Sequence, residues 1–238
     1  MDSPDHALRT DLAPSGTLRA SINLGNPVLA SGTPDAPSGL TVALAREIGS
    51  RLGVEVALQC YGAARDSVAA VVEGRADVGF LAIDPGRPLA FTSPYVLIEG
   101  VYVVADDSLL TSAASVDADG VRVGVKEGSA YDLHMSRTLE RATLERGPEG
   151  IDTYVDRGLE VGAGIRQPMT TWVAEHPGHR VLEPAFMQIR QAVAVPQDRS
   201  DAALAWLRAL VDELVASGWV TAALTDAGQD PALAAPAG

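Results

Sequence analysis

The sequence predicts an α/β fold with a parallel-type sheet, and three observations lead to this prediction. Short apolar runs with strand character alternate with segments of helical spacing over most of the chain. Glycines end several of the predicted helices. The 238 residues are 47% apolar but only 5% aromatic, which is typical of an ordinary globular core. This length suits one large domain or two smaller ones.

The first half of the chain supplies three strands and two helices. Residues 17–24 alternate polar and apolar side chains, as a half-buried strand does. Apolar residues between Leu40 and Leu52 fall at mostly helical spacing, and Gly53 ends that helix. We predict strands at 17–24, 54–58 and 78–83, and helices at 40–52 and 66–73.

The second half begins with an apolar run, Val96–Val104, that is long enough to leave one domain and enter another. A new strand–turn–helix unit follows it. We predict further strands at 121–125, 159–163, 180–182 and 189–195, and helices at 131–141, 152–157, 170–176 and from Asp198 onward. Residues 230–238 are low in complexity and are predicted to form a disordered tail.

One cation, Arg87, follows the central strand 78–83 after the turn Asp84-Pro85-Gly86. A guanidinium can hold a carboxylate with two parallel hydrogen bonds, so this pattern is typical of a binding site for a small acid. In parallel sheets ligands bind beyond the carboxyl ends of strands, where Gly25-Asn26-Pro27 and Ala82–Arg87 would both lie. The alternative is a surface arginine after a core strand.

A second candidate site follows the strand 121–125. The turn Lys126–Ala130 leads directly into a helix, which aims backbone N–H groups and the positive end of the helix dipole at one point. This arrangement predicts an anion cradle at Gly128, Ser129 and Ala130, unless Gly128-Ser129 is simply a helix cap. Arg166 is a second isolated arginine just after a strand and repeats the chemistry of Arg87.

Composition excludes several classes of function. The formal net charge of −13, without a Lys/Arg cluster, argues against nucleic acid or an anionic membrane surface as a partner. The single cysteine, Cys60, excludes an internal disulfide and a multi-cysteine metal site, and we interpret it as a small core residue. There is no secretory signal at the N-terminus as written, and no window approaches the roughly 20 apolar residues of a membrane span. We therefore expect no membrane insertion and no metal or cofactor.

The order of these parts resembles the type II periplasmic solute-binding proteins that serve ABC importers of polar amino acids. The resemblance covers about residues 16–228. It depends on the order and spacing of several segments: Gly39-Leu40 to Gly53, Gly74–Val78, Arg87 with Phe91–Tyr95, Val123–Val125 with Gly128-Ser129, and the terminal helix ending Ala216–Trp219.

This resemblance implies two lobes, each a mixed sheet flanked by helices, joined by two crossing strands. Lobe one would be residues 1–99 plus 189–238, and lobe two residues 100–188. Arg87 matches the family's arginine for the ligand carboxylate, and Ser129 with the Gly128–Ala130 amides matches the second lobe's contribution. Phe80, Leu81 and Ala82 would line the floor of the cleft. The implied protein is a monomer that binds a small anionic or zwitterionic ligand, works with an ABC permease and is periplasmic, although the absent signal allows a cytoplasmic location.

The departures from the family concern the ligand's ammonium group. The usual acid in lobe two is missing and Arg166 stands near its place, while Ala43 replaces another family aspartate. Asp84 would then be the ammonium partner. The loop between Arg87 and Phe91 is also about two residues shorter than usual. We hypothesise a small carboxylate, with two acidic groups bridged between Arg87 and Arg166.

Two other functions remain open from the sequence. The same fold hosts enzymes such as cyclohexadienyl dehydratases, which would need a general acid. Lys126, Glu127, His134 and Glu99 are the candidates for that role, although each is more readily interpreted as structural. A ligand-sensing domain of a receptor is the third possibility. We expect a binding protein that is not an enzyme.

Overall fold

A computed structural model describes residues 4–238, which form two compact units. The first contains the chain up to Leu97 together with Arg190–Gly238, and the second contains Ile98–Ile189. The chain passes from one unit to the other twice, each time within a long strand: β6 (Leu89–Ala105) and β11 (Met187–Pro196). No helix of the described residues is long and apolar enough to span a membrane.

Helices and strands alternate along both units. The helices are α1 (His6–Leu12), α2 (Leu40–Leu52), α3 (Ala64–Val72), α4 (Ala130–Thr138), α5 (Gly150–Arg157), α6 (Arg166–Glu175), α7 (Asp201–Ala216) and α8 (Trp219–Asp226). The remaining strands are β1 (Thr17–Asn23), β2 (Ser31–Thr33), β3 (Ala36–Ser38), β4 (Glu55–Tyr61), β5 (Val78–Ala82), β7 (Arg122–Lys126), β8 (Thr143–Gly147), β9 (Val161–Ile165) and β10 (His179–Val181). Short 3-10 helices lie at Ala113–Ser115 and Pro231–Leu233.

The sheet of the first unit is mixed. Its strands follow the order β4-β1-β5-β11, in which β1 is parallel to β4 and β5 while β11 is antiparallel to β5. Leu81 of β5 and Ala194 of β11 pack with Val71 of α3 in one buried cluster. Because side chains alternate along a strand, Phe80 and Ala82 point to the opposite face of the sheet. The prediction that Leu81 lines the same floor as these two residues is therefore wrong.

The sheet of the second unit is also mixed. It follows the order β6-β9-β7-β8, with β7 parallel to β8 and β9, and with β6 antiparallel to β9 and β10. Helix α5 begins against this sheet at Gly150, where a Cβ atom would lie 2.2 Å from the carbonyl oxygen of Ala163. Glycine is therefore required for the close approach of this helix to β9.

The predicted α/β class and most of the predicted elements are confirmed. The differences concern the ends of elements and four elements that were not predicted, α1, β2, β3 and β8. The strand predicted at 159–163 runs from Val161 to Ile165 because it pairs in register with β7, Val123 opposite Val161. Consequently α6 begins at Arg166 rather than at 170. Helix α1, for which no element was predicted, is capped by the carboxylate of Asp5.

The prediction of a disordered C-terminal tail is wrong for residues 230–235. Leu233 and Ala235 are buried, and the amide of Ala235 donates a hydrogen bond to the carbonyl oxygen of Tyr95 in β6. Apolar burial and this backbone pairing fix a segment whose composition alone suggested disorder. The interpretation of Cys60 as a core residue is also too strong, because Cys60 is only half-buried.

A buried ion cluster stabilises the amino end of β5. The carboxylate of Asp77 is fully buried and accepts hydrogen bonds from Arg19 Nη2 (2.6 Å), Arg19 Nε (3.0 Å) and the Arg19 amide (2.9 Å). It also accepts one from Arg199 Nη2 (3.2 Å), which precedes α7. Asp77 therefore connects β1, β5 and the start of α7.

In the second unit, the carboxylate of Asp117 fixes a loop before β8. It accepts hydrogen bonds from the amides of Glu140 (3.1 Å), Arg141 (2.8 Å) and Ala142 (3.0 Å). These bonds, the one from Ala142 first, lower the pKa of Asp117 below its ordinary value. Because the folded pKa is depressed, the stabilisation is present above the unfolded pKa of about 4 and is lost as the pH falls through the folded pKa.

We expect Asp117→Asn to lower the thermal midpoint at pH 7, and the difference from wild type to shrink as the pH falls below 4. Thermal unfolding of both proteins at several pH values measures this. The control is Asp119→Asn, since Asp119 is exposed. A difference that stays constant down to pH 3 would contradict the role given to the ionised carboxylate.

Candidate functional site

The carboxyl ends of β1 and β5 bring two predicted site segments to one edge of the first unit's sheet. The strands are parallel, with Ala20 opposite Val78 and Ser21 opposite Gly79. Both therefore end at the same edge, where β1 leads into the turn containing Asn26 and β5 leads into the turn containing Arg87. Ligands of α/β sheets bind at such edges.

Arg87 is buried at this edge of the sheet, and most of its guanidinium N–H groups make no hydrogen bond with the described residues. Only 7% of the residue is exposed, and its Nη1 atom donates one hydrogen bond to the carbonyl oxygen of Ala82 at 2.7 Å. Burial lowers the pKa of the Arg87 guanidinium, and the nearby charge of Asp84 partly offsets this effect. Within residues 4–238 the other guanidinium N–H groups make no hydrogen bond. A buried cation with unused donors is a ready partner for an anion.

The turn that positions Arg87 is held by Asp84. Its carboxylate accepts a hydrogen bond from the amide of Gly86 at 2.8 Å, and its carbonyl oxygen accepts one from the amide of Arg87 at 3.1 Å. Asp84 itself is buried. Its carboxylate thus orders the turn and supplies the negative charge closest in sequence to the guanidinium.

The other predicted residues of this unit also lie at or beneath the edge. Asn26 is only 6% exposed, and its Oδ1 atom accepts a hydrogen bond from the amide of Val28 at 3.3 Å. Its side-chain NH₂ group makes no hydrogen bond with the described residues. Ala82 and Phe80 are buried on one face of β5, where Phe80 packs edge-to-face against Tyr95 with ring centroids 6.5 Å apart.

In the second unit, Ser129 acts as the N-cap of α4. Its hydroxyl accepts a hydrogen bond from the amide of Asp132 at 3.0 Å, and the Asp132 carboxylate accepts one from the amide of Gly128 at 2.9 Å. The amide of Ser129 donates to the carbonyl oxygen of Lys126 at 3.2 Å. Of the three residues in the predicted anion cradle, Ala130 is therefore the one whose backbone N–H group makes no hydrogen bond with the described residues. The backbone N–H group of Tyr131, the next residue, makes none either.

Arg166 is not isolated, which corrects the expectation from the sequence. It begins α6 and donates hydrogen bonds to the carboxylates of Glu99 and Glu183, the latter at 2.5 and 2.8 Å. This pairing lowers the pKa of Glu183. Because β7 and β9 are parallel neighbours, Arg166 and the start of α4 follow strands that end at the same edge of the second unit's sheet.

The residues considered as general acids have structural partners. Lys126 forms an ion pair with Glu149, and Glu99 pairs with Arg166. The ring of His134 stacks with that of Phe186 at 6.4 Å between centroids, and the amide of Glu127 donates to the carbonyl oxygen of Gly147. In the part of the chain that the structure describes, no group of three His, Cys, Asp or Glu side chains is arranged to hold a metal ion.

The structure thus places Arg87, Asp84, Asn26, Ala82 and Phe80 in the first unit. It places Gly128, Ser129, Ala130 and Arg166 in the second. Sequence reasoning missed Gln191, a buried polar residue directly opposite Ala82. The available signal was the one uncharged polar side chain inside the apolar run 189–195.

Comparison with known proteins identifies the fold. No protein-family model matches the sequence, and no curated protein does. Among solved structures, the amino acid ABC transporter substrate-binding protein AbpA from Streptococcus pneumoniae, bound to L-arginine, is 21% identical with a TM-score of 0.73, covering 91% of this chain and 96% of its own. The cysteine-binding protein from Campylobacter jejuni is 17% identical with a TM-score of 0.73, covering 93% and 92%.

A third similar structure bears on the alternative function. The ancestral amino acid-binding protein AncCDT-1, a precursor of cyclohexadienyl dehydratase, is 16% identical with a TM-score of 0.73, covering 92% of this chain and 97% of its own. Identities this low establish the fold and leave the ligand undetermined. The chain has the α/β fold of amino-acid-binding proteins of ABC transporters, the type II periplasmic solute-binding fold.

Proposed function

We propose that this chain is a solute-binding protein that captures a small carboxylate or amino acid for an ABC importer. In this proposal Arg87 of the first unit holds the ligand carboxylate. The protein releases the ligand unchanged. A ligand that binds one conformational state of such a protein more tightly than another increases the population of that state, and an importer can bind that state selectively.

The observation that carries the proposal is the guanidinium of Arg87, 93% buried and with most of its donors unused. Keeping a charge in a low-dielectric environment costs free energy unless a partner of opposite charge is present. A ligand carboxylate would recover that cost through two parallel charge-assisted hydrogen bonds. The unused NH₂ group of Asn26 at the same edge of the sheet adds a neutral donor.

The charges around Arg166 favour a ligand with one carboxylate over the dicarboxylate first hypothesised. Arg166 is held by two carboxylates, those of Glu99 and Glu183, so this group of three carries a net charge of −1. A second ligand carboxylate at this place would be repelled by the two glutamate carboxylates. A neutral amino acid or a monocarboxylic acid avoids that repulsion.

A thermal-shift screen against amino acids, monocarboxylates and dicarboxylates tests the proposal. A ligand present at 100 times its dissociation constant adds about 2.7 kcal/mol to the free energy of unfolding. In a chain of this size this corresponds to an increase in the melting temperature of about 5–10 °C. We expect monocarboxylic compounds to give larger shifts than succinate or glutamate.

The matched control in this screen is the amide or ester of each acid that shifts the melting temperature. These compounds keep the shape of the acid but lack the anion, so they should give no shift. Equal shifts by acid and amide would show that the carboxylate is not what is recognised. The absence of a shift with every carboxylate and amino acid would contradict the proposed function as a whole.

An ABC permease as partner and a location outside the cytoplasm belong to the same proposal. They are tested by whether a permease and an ATPase are encoded beside this chain, and by whether the full gene carries an export signal. A dehydratase or other lyase activity has no support in the positions of Lys126, Glu127, His134 and Glu99, which all have partners in the fold.

A further inference from the structure

Gln191 is a mostly buried residue with a polar side chain. It lies in β11, in the first unit, and only 6% of the residue is exposed. Neither its amide oxygen nor its NH₂ group makes a hydrogen bond with the described residues. The amide is not among the fully buried side-chain atoms that lack a partner, so it reaches solvent although the rest of the residue is covered. A polar group held in this way is accessible to a ligand.

The register of the sheet places Gln191 beside the group that Arg87 contacts. Gln191 lies directly opposite Ala82 in the antiparallel pair of β11 and β5, and the carbonyl oxygen of Ala82 accepts the hydrogen bond from Arg87. The neighbouring pair is held by a hydrogen bond from the amide of Ile83 to the carbonyl oxygen of Arg190 at 2.8 Å. Gln191 is thus at the carboxyl end of β5, where the turn to Arg87 begins.

The face of the sheet on which Gln191 lies can also be assigned. Residues directly opposite each other in an antiparallel pair point to the same face. Leu81 and Ala194 point to the face covered by α3, as their shared cluster shows. Gln191 therefore points to the other face, together with Ala82 and Phe80.

We propose that Gln191 is a specificity-determining residue that hydrogen-bonds an uncharged polar group of the ligand, next to the carboxylate held by Arg87. The proposal depends on the proposed function and names the class of ligand: a carboxylate that also carries a hydroxyl, carbonyl or amide group. A carboxamide suits this task because it offers two N–H donors and one acceptor. Arg87 has only donors, so it cannot accept a hydrogen bond from a hydroxyl or amide N–H group of the ligand.

The energetic consequence is discrimination between polar and apolar ligands of similar size. A ligand with the polar group hydrogen-bonds the amide of Gln191, whereas its apolar analogue would cover the amide from water without pairing it. One neutral hydrogen bond of about 1.4 kcal/mol corresponds to a tenfold difference in affinity. We expect the wild-type protein to prefer the polar member of a matched pair by about 5- to 20-fold.

Calorimetric titration with matched pairs tests this inference. The probes are L-serine with L-alanine, lactate with propionate, and L-glutamine with L-methionine, each measured on the wild type, Gln191→Met and Arg87→Met. In Gln191→Met the preference for the polar member should fall to about twofold or less, while binding still depends on Arg87. The control is Gln197→Met, because Gln197 is exposed and outside the sheet; it should keep the wild-type preference.

Circular dichroism shows whether Gln191→Met is folded. If it is not, a second variant, Gln191→Glu, tests the inference. In Gln191→Glu the shape is kept, and the new carboxylate adds a negative charge opposite Ala82, on the face where the ligand carboxylate is proposed to bind. All carboxylate probes should then bind at least about tenfold more weakly, which a merely structural glutamine would not cause.

The outcomes separate this inference from the proposed function. If the wild type binds probes in an Arg87-dependent way but Gln191→Met keeps the full preference for polar ligands, Gln191 has a packing role only and the inference is overturned. Wild-type binding without any preference in all three pairs also overturns it. If no probe binds to the wild type, the proposed function fails and this inference fails with it.

Discussion

Replacing Arg87 with methionine is expected to weaken the binding of any carboxylate ligand by about 100-fold or more. Each hydrogen bond to a charged group contributes about 1.5–3 kcal/mol, and Arg87 can supply two in parallel. Losing about 3–6 kcal/mol corresponds to a 10²- to 10⁴-fold change in the dissociation constant. Calorimetry with the best ligand from the thermal-shift screen measures it.

The same substitution should leave the ligand-free protein as stable as the wild type, or make it more stable. Arg87 is a buried charge whose single hydrogen bond, to Ala82, does not satisfy its donors, and methionine removes the cost of burying it. Opposite effects on binding and stability are typical of a residue kept for function. Thermal unfolding without ligand tests this.

The matched control is Arg190→Met, which removes the same charge from an exposed position on β11. It should change neither the affinity nor the stability by a measurable amount. If Arg190→Met weakened binding as much as Arg87→Met, the effect would come from overall charge rather than from a specific contact. Unchanged carboxylate affinity in Arg87→Met would remove the basis of the proposed function.

The second large effect is expected in Asp77→Asn, which should lower the free energy of unfolding. The fully buried carboxylate of Asp77 faces Arg19 and Arg199, and its loss leaves two guanidinium groups without their shared anion. Breaking a buried ion pair by removing one partner typically costs about 3–5 kcal/mol. We expect a decrease of about 3 kcal/mol in the free energy of unfolding, measured by urea denaturation with an unchanged m-value.

An exposed ion pair between an arginine and a carboxylate serves as the control for the buried pairs of Asp77. Glu73→Gln breaks the pair between Glu73 and Arg75, whose side chains are about half exposed, and should leave the urea midpoint where it is. Ligand affinity of Asp77→Asn should stay near wild type, because Asp77 lies at the amino end of β5 and Arg87 follows its carboxyl end. A midpoint of Asp77→Asn equal to that of wild type would show that Arg19 and Arg199 find other partners.

Local sequence patterns were sufficient for the fold class and for most elements. The helix from Leu40 to Leu52 is recognisable because its apolar spacing is helical and Gly53 ends it in a left-handed conformation, with φ of +69°. The turn after β5 is recognisable because Asp84-Pro85-Gly86 cannot continue a strand. These signals reside in neighbouring residues, so no knowledge of distant parts of the chain is needed.

The partners of charged side chains could not be predicted in this way. Arg166 looked isolated, yet it pairs with Glu99, which is 67 residues away, and with Glu183, which is 17 residues away. The C-terminal segment looked disordered, yet Ala235 pairs with Tyr95. Both errors come from interactions that form only when strands far apart in sequence become neighbours.

The chain's own periodicity and turn residues therefore determined that this protein is an α/β protein with an arginine after its central strand, because hydrophobic burial and backbone hydrogen bonding act over a few residues at a time. Tertiary packing alone decided that Arg87 is buried with unused donors, that Arg166 is paired with Glu99 and Glu183, and that Gln191 lies opposite Ala82. The physical reason is register: which residues of two distant strands lie side by side is set by how the sheet assembles.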